Sequence, residues 1–151
     1  MKTTENTIEI LDRLIGVAVD TEKFYRRAAK DVGRADLEEF FHQRAARWKN
    51  AADELQAQRK RLGVADQKEG TWGGVMDRTA MDISVAMSKG DSGVVEWARE
   101  DAEAAAAEYE KALAANLSPE LRTVVQRQLA DVRAAVASLE QVLRVYGGPR
   151  S

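Results

Sequence analysis

Apolar positions recur along most of this chain in alternating steps of three and four, the spacing that puts side chains on one stripe of an α-helix. Ile8, Leu11, Ile15, Ala18, Glu22, Tyr25, Ala29 and Val32 mark the first stripe. They predict a helix from about residue 4 to residue 32. A second row, Ile10, Val17 and Phe24, lies on a neighbouring face, so this helix is expected to be covered from two sides. Gly33 ends it, as a residue tolerant of positive φ can. Asp36 with Glu39 has capping-box spacing and predicts the start of a second helix. That helix extends to about Leu62, with Leu37, Phe41, Arg44, Ala45, Trp48, Ala52, Leu55 and Arg59 within one arc.

After Gly63 and a polar stretch, a shorter helix is expected from about Thr71 to Met87, with Trp72, Met76, Ala80, Ile83 and Met87 on one side. Lys89 to Gly93 breaks it. A third long helix then runs to about Ala115, with Val95, Ala98, Ala102, Ala105, Tyr109 and Ala112 inward. Ser118-Pro119 is a strong helix start, the hydroxyl at the cap and proline at the first helical position. The fourth long helix follows through Leu121, Val125, Gln128, Val132, Ala135, Leu139, Val142 and Tyr146. Two long antiparallel hairpins are thus joined by about 30 residues that include an additional helix, enough to cross a bundle at about 1.5 Å per helical residue. The fold class is therefore all-α, with the connectivity of a ferritin-like four-helix bundle. An irregular five-helix bundle is the alternative. Residues 1–148 are expected to form one domain, and 149–151 a disordered tail.

Composition narrows the function classes. Lys and Arg number 23 against 25 Asp and Glu, a balance that argues against a dedicated nucleic-acid binder. No cysteine is present, which removes disulfides, thiolate metal sites and cysteine nucleophiles. No stretch approaches the roughly 18 apolar residues of a membrane span, and MKTTENTIEI has no apolar core of signal-peptide length. A cytoplasmic location without membrane insertion is the expectation.

A di-iron centre in a helical bundle takes one Glu from each of two helices and a Glu-x-x-His pair from each of the others. The only histidine is His42. One literal match, Glu39-Phe40-Phe41-His42, fails on geometry: at about 100° per residue Glu39 lies roughly 180° from the Leu37–Trp48 seam. Glu22 differs, because it falls inside the first seam, and a buried carboxylate is costly unless paired or protonated. Reflecting the first helix through its turn puts Arg44 opposite it. The expectation is a polar core of Glu22 paired with Arg44, with Gln128 nearby, which fixes register more than it stabilises. A metal role would need further inward carboxylates; Asp101, Glu108 and Asp131 are the candidates, each roughly 70–90° off its seam.

The sequence resembles a bacterial family of unknown function whose members are described as ferritin-like four-helix bundles. The resemblance covers nearly the whole chain and rests on Leu11 to Ala29, Phe41 to Leu55, Tyr109 to Leu113 with Leu117-Ser118-Pro119, and Val125 to Gln128. It implies a bundle fold and no particular reaction. Members look to carry Gly-Glu in the third long helix and a histidine in the fourth. Ala102 and Val136 stand at those positions here, so the resemblance does not carry metal ligands over to them.

No phosphate-binding glycine loop is present: Gly70, Gly73 and Gly74 flank Trp72 without the Lys-Ser/Thr that such a loop needs. No serine sits in a nucleophile elbow. Arg59-Lys60-Arg61 matches basic residues completing a helix C-terminus. Trp97 lies about 110° from its helix seam, and packing under the crossover helix outweighs a subunit interface as its explanation. By analogy with other bundles, a homodimer through helix faces is expected. The reading is a non-catalytic bundle, without cofactor, that acts through self-association or partner binding. The alternative is an iron- or manganese-binding protein or oxidase using Glu22 and neighbouring carboxylates.

Overall fold

The computed structural model describes residues 2–64 and 80–147. Among them are five α-helices and no strand: α1 (Lys2–Asp31), α2 (Ala35–Arg61), α3 (Ala80–Ser88), α4 (Asp91–Leu113) and α5 (Pro119–Val142). A π-helical turn, Leu143–Gly147, follows α5. Trp72 and Met76, expected to face inward, the glycines at 70, 73 and 74, and the tail at 149–151 lie outside the described residues. None of the helices described is long and apolar enough to cross a membrane.

Helix ends show where local sequence suffices and where it does not. The Ser118 hydroxyl accepts the Leu121 N–H at 3.3 Å with Pro119 beside it, the local cap that the residue types encode. Gly63 ends α2 at φ 80°. The start of α2 is different. Asp36 falls inside the first turn, Arg34 occupies the cap without a side-chain bond, and Glu39 accepts from Gln43 instead. The cap comes from α4: Asp91 accepts the Gly33 N–H at 2.9 Å and the Arg34 N–H at 3.2 Å. A carboxylate there satisfies orphan donors and complements the helix dipole. Gly33 itself does not have positive φ. At the other end of α4, Arg122 donates to the carbonyls of Leu113 and Ala115.

Cross-helix pairs fix the directions. Phe24, Thr21 and Arg13 of α1 meet Trp97, Asp101 and Glu108 of α4 in that order, so α1 and α4 are antiparallel. Arg47, Glu54 and Arg61 of α2 meet Asp131, Arg127 and Glu120 of α5, another antiparallel pair. Hence α1 and α5 run one way, α2 and α4 the other. Arg61 lies beside Glu120, whereas Asp91 lies beside Gly33 at the opposite end. Leu62 and Gly90 therefore lie at opposite ends of the bundle. Helix α3 packs on α4 at a corner so tight that a Cβ on Gly93 would lie 2.6 Å from the Ala86 carbonyl oxygen.

The core runs down the centre through Leu11, Ile15, Tyr25, Phe41, Leu55, Tyr109, Val125 and Leu139. Burying each such large apolar side chain is worth about 1.5–3 kcal/mol. Packing is uneven around the square: α1–α2 and α4–α5 are closely apposed, whereas the α2 and α5 backbones stand farther apart and meet through long side chains. That one loose seam positions the site described next.

Candidate functional site

Among the described residues, and apart from the buried Arg59, two polar places inside the bundle stand out. The first is central, at the α1–α4 contact. Asp101 is only 2 % exposed and accepts the Thr21 hydroxyl at 3.1 Å. One turn along α1, the Tyr25 ring packs edge-on against Phe41. Its hydroxyl is buried and has no hydrogen-bond partner among the described residues. Burial, and then the negative charge of Asp101, push the Tyr25 pKa far up, against a smaller opposing pull from Arg44. This phenol stays protonated.

The second place is the seam between α2 and α5, which opens into a cleft of about 500 Å³. Trp48, Ala51, Tyr109, Val132 and Ala135 give it an apolar lining. Its rim is charged: Arg44, Arg47 and Arg127 face Glu54 and Asp131, leaving one positive charge in excess. The two ends differ. At one, Tyr109 donates to Gln128 Oε1 at 2.7 Å, Gln128 donates to Glu54 at 2.8 Å, and Arg127 closes on the same carboxylate. Burial alone would raise the Glu54 pKa, yet the hydrogen bonds from Arg127 and Gln128 win and hold it below the usual range. Burial, followed by the nearby Glu54 and Asp131, raises that of Tyr109, so the phenol remains a donor. At the other end a single carboxylate, Asp131, serves two guanidiniums, Arg47 at 2.9 Å and Arg44 at 3.4 Å.

The residues singled out from the sequence scatter over these places. Glu22 accepts from Arg26 one turn along its own helix at 2.7 Å, instead of meeting Arg44. The register was right, since Tyr25 meets Phe41, but Arg44 crosses Phe40 and turns to α5. The buried polar residue of α1 at this level is Thr21, with Glu22 at the edge of the stripe. Gln128 is buried as part of the Tyr109–Glu54 chain. Glu108 is held by Arg13, and that hydrogen bond lowers its pKa. The four carboxylates thus face four different sets of partners, and among the described residues no group of three or more His, Cys, Asp or Glu is placed to hold a metal ion. His42 is exposed, 3.9 Å from Glu38. Ala102 and Val136 are part of the apolar packing. Trp97 is 8 % exposed, its ring centroid 3.9 Å from that of Phe24, so α1 covers the face offered as an interface. Arg59, read as a helix-end charge, is buried and donates to Asp12 at 2.7 Å.

The periodicity had marked Trp48, Tyr109, Val132 and Ala135 as inward. It did not mark Arg47, Glu54 or Arg127, whose only signal was a charged row flanking each stripe. Residues 6–116 match the family described as Domain of unknown function (DUF2383). No curated protein matches the sequence.

Proposed function

The chain belongs to the DUF2383 family, a domain of unknown function, and we propose that it is a non-catalytic bundle of ferritin-like connectivity that works by binding a partner in the α2–α5 cleft. One observation carries the reading. Three sides of the helical square are packed, while the fourth holds about 500 Å³ lined by aromatic and aliphatic side chains under a charged rim. Ligand sites in proteins have this size and this mixture of apolar wall and few polar groups. The helix directions, with Leu62 and Gly90 at opposite ends of the bundle, support the ferritin-like assignment, and residues 1–148 are read as one domain.

Partner binding is favoured over self-association because, among the described residues, the exposed large apolar ones, Leu62, Val85 and Val145, sit singly on α2's end, α3 and the π-helical turn. Single exposed apolar residues need no partner. Placing Trp at Ala51, on the cleft wall, tests the reading. Small aromatic ligands should raise the melting temperature of the parent protein and leave that of Ala51→Trp unchanged. Equal shifts in both would refute it. Stoichiometric iron or manganese in protein purified without chelator would favour the metal-binding alternative.

A further inference from the structure

We propose that the cleft selects a small anionic amphiphile, whose carboxylate or phosphate head lies at Arg44 and Arg47 and whose ring-sized apolar body lies against Ala51 and the edge of Trp48. The inference rests on the cleft reading above and adds the ligand's chemistry. Its basis is the unequal distribution of charge along the rim. At the Gln128 end, every polar group of the Tyr109–Gln128–Glu54–Arg127 chain has a partner of matching kind. One guanidinium balances one carboxylate there, so that end offers an incoming charge little.

At the Asp131 end two guanidiniums share one carboxylate. Each guanidinium has five N–H donors, and Asp131 meets one terminal nitrogen of each. Arg44 is 14 % exposed, so its charge is only partly screened by water, and a planar anion gains more there than at an open surface. The body of the ligand follows from the walls. The cleft floor is the edge of Trp48, which stands edge-to-face at 6.4 Å on the buried Tyr109, and Ala51 and Val132 flank it. Between Arg44 and Glu54 the wall extends about 15 Å along α2. A helix of about 10 Å diameter and that length would fill roughly 1,200 Å³, more than twice the cleft of about 500 Å³, so the volume suits a compact amphiphile.

The test uses three isosteres, 2-naphthoate, 2-naphthylmethanol and 2-naphthylmethylammonium, titrated calorimetrically into the full chain. Naphthoate should bind at least about tenfold more tightly than the alcohol, a factor equal to roughly 1.4 kcal/mol, and the ammonium more weakly still. Arg47, 60 % exposed, can be replaced without disturbing the core. In Arg47→Gln the naphthoate affinity should fall about tenfold while alcohol binding stays unchanged. Arg127→Gln, at the balanced end, should retain the preference for the anion. Equal affinity for naphthoate and the alcohol, or an Arg47→Gln variant with undiminished naphthoate binding, would overturn the anion assignment and leave the cleft reading standing. Binding of none of the three would refute both.

Discussion

Replacing Thr21 by Val should cost this protein about 2 kcal/mol of folding stability. The substitution keeps the branched shape and deletes one hydroxyl, the donor to Asp101 at 3.1 Å. Asp101 is 2 % exposed and Thr21 1 %, so water cannot readily replace the lost donor. Hydrogen bonds to charged groups contribute roughly 1.5–3 kcal/mol net. The reverse deletion, Asp101→Leu, leaves a threonine hydroxyl that can turn to a backbone carbonyl of its own helix. The double variant Thr21→Val/Asp101→Leu removes both ends. Its loss should fall short of the two single losses combined by about 1 kcal/mol or more, the size of coupling between contacting residues. Urea unfolding followed by circular dichroism reads this directly. With m in the range of about 1–3 kcal/mol/M, Thr21→Val lowers the midpoint by about 1 M. A midpoint shift under about 0.2 M, together with additive losses in the double variant, would show that the hydroxyl does not support Asp101 in solution, and the central polar site would have been misread.

The remaining expectations concern other contacts. Trp97→Ala should destabilise by about 3–5 kcal/mol, as truncating a buried aromatic does, and leave the mass by light scattering unchanged, because the ring lies on Phe24 within the chain. Gly93→Ala should cost about 1–3 kcal/mol in urea unfolding through overpacking, whereas Gly33→Ala, where the nearest atom is 3.9 Å away, should be tolerated. For the Arg13–Glu108 pair, the folded pKa of Glu108 lies below 4.5, by the Arg13 hydrogen bond first. Its stabilisation is therefore present above pH 4.5 and is lost as pH falls through the lower folded value. Arg13→Gln should be less stable than the parent at pH 7 by up to about 1 kcal/mol, since Arg13 is largely exposed, and the difference should shrink as pH falls through the lowered folded value. A constant difference across that range would contradict the assignment.

How much of the site was legible depends on which neighbour each residue answers to. Tyr109 and Gln128 fall on their stripes, and their inward placement follows from spacing alone. Asp101 does not: counted against a single seam it points sideways, yet α4 is covered on that side by α1, and the carboxylate ends up buried against Thr21. Glu22 shows the opposite error. It sits in the stripe by count, but stays at the edge because Arg26 offers a partner without leaving the helix surface. Asp91 caps α2 from 57 residues away, a role that no local window can contain.

The chain by itself determined what depends on neighbours a few residues apart. That covers four long amphipathic helices, their order, the Ser118-Pro119 cap and the Gly63 stop, because helix periodicity and capping are short-range effects. Periodicity also told which face of each helix is apolar. The tertiary structure alone decided which charged residues meet across those faces, since side chains of similar angle on a helix can reach different partners once the neighbours are in place. It gave Asp101 to Thr21, Arg44 and Arg47 to Asp131, and Arg59 to Asp12. It also left α2 and α5 apart. The cleft lies where these two backbones stand apart.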